Sequence, residues 1–84
     1  MHRLQFKFRT DTDEVQRQAV IEQLLQNGAN KVRRLFPSEQ DEELAALFLA
    51  EIKDERREQY ILQLLTRLRG IEFAEPEAKR KLIK

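Results

Sequence analysis

Few side chains in this sequence have the type and spacing that chemistry needs. His2 is the one histidine, and neither a second histidine nor a cysteine accompanies it as a metal ligand. Ser38 is the one serine, and no base is placed to activate it, so a turn or a helix cap explains it better. We therefore expect no enzymatic activity, no metal and no other cofactor.

Paired carboxylates are the remaining candidates for chemistry. They are Asp11 with Asp13, and Glu42 with Glu43. Both pairs fall where helix starts and turns favour acids, because an acidic side chain at a helix start satisfies unpaired N–H groups and the positive end of the helix dipole. The chain has only two glycines, too few for a phosphate-binding loop. These residues indicate structure rather than catalysis.

Length and composition limit the domain. With 84 residues the chain can form one two-layer domain, too small for a substrate cleft between two lobes. Its 16 basic and 15 acidic residues leave a formal charge of +1, so no overall field attracts nucleic acid. The absence of cysteine agrees with a reducing compartment.

Targeting signals are not visible either. No apolar run approaches the roughly 18 residues of a membrane span, and residues 1–4 lack the apolar core of a signal peptide. We expect a cytoplasmic protein from the sequence as given, with no membrane partner. An extracellular location stays open if the chain is cut from a longer precursor.

Alternation of apolar and polar residues predicts three strands, at 4–8, 31–36 and 71–76. The first of these strands has one apolar and one strongly basic face. In the last strand, Ile71 and Phe73 are expected to share the buried face. Pro76 closes it.

Helical spacing predicts two helices. The first follows the acidic residues 11–14 and ends at Asn27 and Gly28. Its buried stripe is predicted to contain Val15, Ala19, Val20 and Leu24, with Ile21 and Leu25 as candidates. The second helix runs over 54–69 and ends at Gly70; its apolar stripe is Ile61, Leu64, Leu65 and Leu68.

The segment 44–52 fits both kinds of element. Leu44, Leu47, Phe48 and Ile52 are spaced as a helical stripe, and the preceding acids resemble a helix start. The same residues form a nearly continuous apolar run of strand length, which is typical of a central strand covered on both faces. We predict a strand, with a helix as the alternative.

The element order is then strand, helix, strand, strand, helix, strand. It predicts an α/β (α+β) ferredoxin-like βαββαβ sandwich, in which an antiparallel four-stranded sheet carries two helices on one face. This domain is expected over residues 1–78, with a basic tail at 79–84. The topology itself says little about function.

Four motifs together resemble the I9 family, which contains the propeptides of subtilisin-like serine proteases and related free-standing inhibitors. They are Leu4-Gln5-Phe6-Lys7-Phe8, Asn27-Gly28-Ala29, Lys31-Val32-Arg33-Arg34-Leu35-Phe36 and Gly70-Ile71-Glu72-Phe73-Ala74-Glu75-Pro76-Glu77. The resemblance implies an inhibitor or folding chaperone whose open sheet face packs on two parallel protease helices. Its C-terminal tail would lie in the active-site cleft like a product.

The resemblance also implies protease-binding residues. Glu75 and Glu77 match the carboxylates that cap the two protease helices. Apolar surface would come from Leu35, Leu47, Leu49 and Ala74, and the tail in the cleft from Lys81, Leu82, Ile83 and Lys84. This tail is basic, whereas subtilisin-like clefts generally favour apolar or aromatic side chains. Because no protease domain follows, a free-standing inhibitor is preferred over a cleaved propeptide.

Other readings of the same residues stay open. Glu75 and Glu77 could be solvated carboxylates, Leu47 and Leu49 core residues, and the tail a soluble end. A generic interaction or homodimerisation module would also cover an open sheet face. A third reading is RNA binding through a basic strand face with Arg3, Lys7, Arg9 and Arg33, although Phe6 and Phe8 should point inward rather than stack on bases.

Overall fold

The computed structural model describes residues 2–76. The elements in chain order are β1 (His2–Phe8), α1 (Glu14–Gln26), β2 (Ala29–Arg34), α2 (Glu42–Ala45), β3 (Leu47–Ile52), α3 (Glu55–Arg67) and β4 (Ile71–Pro76). The strands form one antiparallel sheet in the order β2-β3-β1-β4. This is the predicted ferredoxin-like α+β sandwich, with one short helix more than expected. Residues 77 and 78 and the tail 79–84 lie outside the described part.

The core lies between one face of the sheet and the two long helices. Its centre is a trio of phenylalanine rings, Phe6, Phe8 and Phe48, with centroids 5.1 to 5.8 Å apart. The side chains around the trio are Leu4, Ala50 and Ile52 from the strands, and Leu24, Ile61 and Leu65 from α1 and α3. Since alternate residues of a strand share a face, the second face of the sheet has no part in this core.

Carboxylate caps begin both long helices; the sequence analysis predicts the cap of α1 but not that of α3. The Asp13 side chain accepts a hydrogen bond from the Gln16 N–H at 2.9 Å, and Asp54 accepts one from the Arg57 N–H at 2.8 Å. Such a cap satisfies one of the N–H groups that the first helical turn leaves unpaired. After α1, Gly28 has a φ of 115°, a backbone conformation that only glycine adopts readily.

Helix α1 packs through a narrower stripe than predicted. Leu24 is fully buried, and Val20 and Ile21 pack against the core. Three residues assigned to the stripe or as candidates for it are instead exposed: Val15, Ala19 and Leu25. At about 100° per residue, Val15 lies half a turn from Leu24 around the helix. One helix face cannot contain both, and the sheet buries the Leu24 side.

The ambiguous segment is divided between the two kinds of element. Helix α2 ends at Ala45, and β3 starts at Leu47 and pairs with both β1 and β2. The prediction of a central strand is therefore confirmed for Leu47–Ile52. The helical alternative holds only for the residues before it.

A β-bulge changes the facing of the last strand. Phe8 pairs with Ile71 but Lys7 pairs with Phe73, so Glu72 is the extra residue. One additional residue moves every later side chain to the opposite face. Ile71 therefore faces the core, and Phe73 lies on the other face with 40% of its surface exposed. The prediction that both residues share the buried face is wrong for Phe73.

Candidate functional site

The sheet face opposite α1 and α3 is the candidate site, and we call it the open face. The strand register gives its side chains: Arg3, Gln5 and Lys7 of β1, Lys31 and Arg33 of β2, Leu47, Leu49 and Glu51 of β3, and Phe73 and Glu75 of β4. Leu35 extends the β2 ladder by one residue, because its N–H donates to the Leu47 carbonyl at 2.9 Å. The face is thus mixed, with apolar, basic and acidic side chains.

The apolar residues of the open face differ in accessibility. Leu35 and Leu47 are half-buried, as a docking surface requires, but Leu49 is only 2% exposed. Leu49 lies between Gln5 and Arg33 in the register, and these longer side chains flank it on both sides. Leu49 therefore offers almost no surface to a partner, and its predicted role as accessible apolar surface is wrong.

Ala74 is not on the open face. It pairs with Phe6 in the register and packs against the core cluster, so its predicted position is also wrong. The bulge at Glu72 places Phe73 and Glu75 on the open face instead. The sequence analysis missed Phe73, since unbroken alternation from Ile71 would send it inward.

The acidic residue Glu75 lies on the open face. It is exposed and pairs with Gln5 near the end of β4, on the same face as Phe73. Glu77, the second carboxylate, and the tail residues Lys81, Leu82, Ile83 and Lys84 lie outside the described residues. Only the first of the two carboxylates can therefore be placed.

A lysine between two glutamates closes one end of the open face. Lys7 Nζ donates to Glu43 Oε1 of α2 and lies 3.3 Å from Glu72 Oε1 at the bulge. The hydrogen bond with Glu43 favours the charged form and raises the pKa of Lys7, against the opposing effect of desolvation. Only 10% of the surface of the lysine side chain is exposed. This contact holds Glu43 of α2 beside the end of β1.

Three of the four basic side chains named for RNA binding, those of Lys7, Arg9 and Arg33, contact carboxylates. Besides Lys7, Arg9 Nε lies 3.8 Å from Asp11 and Arg33 Nε lies 4.0 Å from Glu51. A phosphate would have to compete with these internal carboxylates for each cation.

The aromatic residues of the strands do not form a base-stacking platform. Phe6 and Phe8 point inward and are fully buried, as predicted. Among the described strands, Phe73 is the one aromatic residue on the open face, and it belongs to an edge strand rather than to the central pair. A platform for successive bases needs aromatic side chains across the central strands. RNA binding therefore gains no support from this face.

Residues 2–76 contain neither a metal-binding cluster nor a membrane-spanning helix. Within residues 2–76, no group of three or more histidine, cysteine or acidic residues is arranged to hold a metal ion. His2 Nδ1 lies 3.4 Å from Glu58 Oε1 of α3, a contact that orients both side chains. None of the helices in that range combines the length and apolar character of a membrane span.

Comparison with known proteins finds no matching family model, no matching curated protein and no matching solved structure. The fold and the open face are therefore the basis for a functional proposal.

Proposed function

We propose that this chain docks onto a subtilisin-like serine protease through its open face and acts as an inhibitor or folding chaperone of that protease. The observation that carries the proposal is the placement of Phe73 and Glu75 side by side on the open face of β4, directly before the C-terminal tail. The protease as partner comes from the resemblance of the sequence to the I9 family.

The composition of the open face suits a protein partner. Phe73 is 40% exposed, and Leu35 and Leu47 are half-buried. Protein interfaces commonly combine one aromatic anchor and a few aliphatic contacts with a charged rim. α1 and α3 already occupy the other face of the sheet, so the open face is the one left for a partner.

The position of Glu75 suits the proposed contact with a protease helix. A carboxylate at a helix N-terminus meets unpaired N–H groups and the positive end of the dipole, an effect of about 0.3–1 kcal/mol at an exposed site and up to about 2 when partly buried. Phe73 two residues earlier would add apolar contact beside it. Phe73 would thus contribute affinity, and Glu75 would fix the orientation of the open face on the protease helix.

The position of β4 suits the proposed route of the tail. Among the described strands, β4 is at the sheet edge and pairs only with β1. β4 is described as far as Pro76, and in the proposed complex the tail adds to an edge of the protease by main-chain hydrogen bonds. Docking of the face and insertion of the tail would then be separate contributions to one complex.

Inhibition kinetics test the proposal. The intact chain should slow a subtilisin-type protease, and deletion of residues 79–84 should abolish inhibition while leaving measurable binding through the open face. Full inhibition by the truncated chain would refute insertion of the tail into the cleft. If the intact chain neither binds nor slows such a protease, the protease is not its partner.

Homodimerisation is a second candidate function, favoured by the distribution of charge across the open face. Lys31 and Arg33 lie at the β2 side, and Glu72 and Glu75 at the β4 side. In a two-fold face-to-face pair, the basic side of one copy would cover the acidic side of the other. Sedimentation should then show a dimer that dissociates as salt is raised. A strict monomer at high protein concentration and low salt would exclude it.

A further inference from the structure

A cleft of about 430 Å³ lies between α1, β2 and α2. Its polar lining consists of Glu14, Arg17 and Gln18 from α1, and Arg33 and Arg34 from β2. Apolar residues of α1, β2, α2 and β3 complete the lining. By the strand register the Arg33 side chain lies on the open face, so two arginines, Arg17 and Arg34, line the cleft with one glutamate, in a chain whose net charge is only +1. This local excess of guanidinium groups marks the cleft as a candidate anion site.

Arg17 has hydrogen-bonding capacity that the protein does not use. Its Nη2 donates to the Arg9 carbonyl at 3.4 Å, and its guanidinium carbon lies 5.3 Å from the centre of the Phe8 ring. Its Nε is buried and has no acceptor. A buried N–H without a partner destabilises the folded protein. No described carboxylate forms an ion pair with this arginine.

Arg34 provides the second uncompensated cation. Arg34 pairs with Phe48 in the strand register and lies on the side of β2 that faces the cleft. The residue is exposed. In residues 2–76 it has no ion-pair partner. Arg33 differs, because its Nε lies 4.0 Å from Glu51 on the open face. Arg34 and Arg17 are therefore the two cations of the cleft that no described carboxylate neutralises, although Nη2 of Arg17 already donates to the Arg9 carbonyl.

We propose that this cleft binds the phosphoryl group of a small organic phosphate. Each guanidinium offers paired N–H donors, and a phosphate monoester has three terminal oxygens that can accept from two such groups at once, whereas a carboxylate has two. The volume falls within the range of about 300–1,000 Å³ for ligand sites. A single phosphate leaves most of it empty, so the apolar part of the lining accommodates the organic group.

The cleft is separate from the open face. Arg34 and Phe48 pair on the helix side of the sheet, whereas Arg33 and Leu49 pair on the open face. A phosphate ligand and a docked protein could therefore bind at the same time. Failure of the protease proposal leaves this inference intact, and the reverse also holds.

Calorimetric titration of the full chain with phenyl phosphate, at constant ionic strength, tests the inference. One saturable site is expected, with affinity at least about tenfold above that of inorganic phosphate or phenol. Arg34→Gln should weaken binding about tenfold or more. Lys31→Gln removes the same charge from the open-face side of β2, so its affinity should stay within about twofold of the unchanged chain.

Arg17→Gln should give a similar loss to Arg34→Gln. Because Arg17 also covers the Phe8 ring, circular dichroism must show that this variant is folded; the exposed Arg34 carries the test if it is not. Absence of saturation by about 10 mM phenyl phosphate would overturn the site. So would equal losses in Arg34→Gln and Lys31→Gln, which indicate unspecific attraction. Equal affinity for inorganic phosphate would overturn the assignment of an organic group.

Discussion

Replacing Phe73 with alanine should weaken protease binding without unfolding the protein. The bulge at Glu72 places this ring on the open face, where 40% of its surface is exposed in the free chain. A docked partner would cover that exposed part. The buried part packs within the chain, so Phe73→Ala should also lower the free energy of unfolding. The loss should be smaller than the value of about 3–5 kcal/mol that is typical when a fully buried phenylalanine is replaced by alanine.

The expected loss of affinity follows from the exposed area. Aromatic side chains bury about 150–250 Å² when fully covered. The 40% that is exposed therefore corresponds to roughly 60–100 Å², worth about 1.5–2.5 kcal/mol at about 25 cal/mol per Å². Since about 1.4 kcal/mol is tenfold in the dissociation constant, the loss should be roughly 10- to 70-fold.

The assay is the dissociation constant for a subtilisin-type protease, with Tyr60→Ala as the matched control. Tyr60 is a 51% exposed aromatic residue on α3, the element that packs on the other side of the sheet. Its loss should leave the dissociation constant within about twofold. Both variants must first show cooperative thermal unfolding. Equal losses in the two variants, or a change below about twofold for Phe73→Ala, would refute docking through the open face.

Three further predictions concern the fold. Phe6→Ala should lower the free energy of unfolding, measured in urea, by about 3–5 kcal/mol because Phe6 is fully buried. Its control Phe36→Ala, at a 42% exposed residue, should lower it by less than about 1 kcal/mol. Similar losses in the two variants would contradict the described core. Gly28→Ala should lower the free energy of unfolding by about 1–3 kcal/mol because the φ of Gly28 is 115°. The loss should be clearly smaller for Gly70→Ala, since the φ of Gly70 is not positive. The reverse order would contradict the described backbone. The carboxylate partner on α2 raises the pKa of Lys7 above 10.5, so the stabilisation from this contact is complete below pH 10.5 and is lost as pH rises through the raised pKa. Between pH 10 and about 12, the free energy of unfolding of Lys7→Met should therefore fall less than that of the unchanged chain. Superimposable pH profiles of the two proteins would contradict the contact.

Periodicity predicted most of the fold because burial in this domain follows the pattern of the sequence. Leu4, Phe6 and Phe8 alternate in β1 and all three are fully buried. The apolar run of β3 pairs on both sides as a central strand should. α3 buries Ile61 and Leu65, two residues of its predicted stripe. In β1 and α3 one face is apolar and the other is not, so only one orientation buries the apolar residues.

The errors arise where distant parts of the chain decide the facing. Just before β4, the Gly70 carbonyl accepts hydrogen bonds from the Arg9 N–H at 2.8 Å and from the Thr12 hydroxyl at 3.2 Å. These contacts fix the start of the strand to the first loop, and the bulge then sets the facing of Phe73 and Ala74. Sequence alternation contains no information about such contacts.

The candidate site was only partly predictable for the same reason. Leu35, Leu47 and Glu75 lie on the open face as expected. The near-complete burial of Leu49 depends on its neighbours across two strands. The contact between Lys7 and Glu43 joins residues 36 positions apart, which no local pattern indicates.

The central claim is that a protease covers the open face, and a map of the contact surface tests it most directly. Nuclear magnetic resonance of the labelled full chain, titrated with a catalytically inactivated subtilisin-like protease, would locate the contact. We expect the largest side-chain signal changes at Leu35, Leu47 and Phe73, with Val15 and Tyr60 on the helices unchanged. Changes confined to α1 and α3, or no binding at all, would contradict the account.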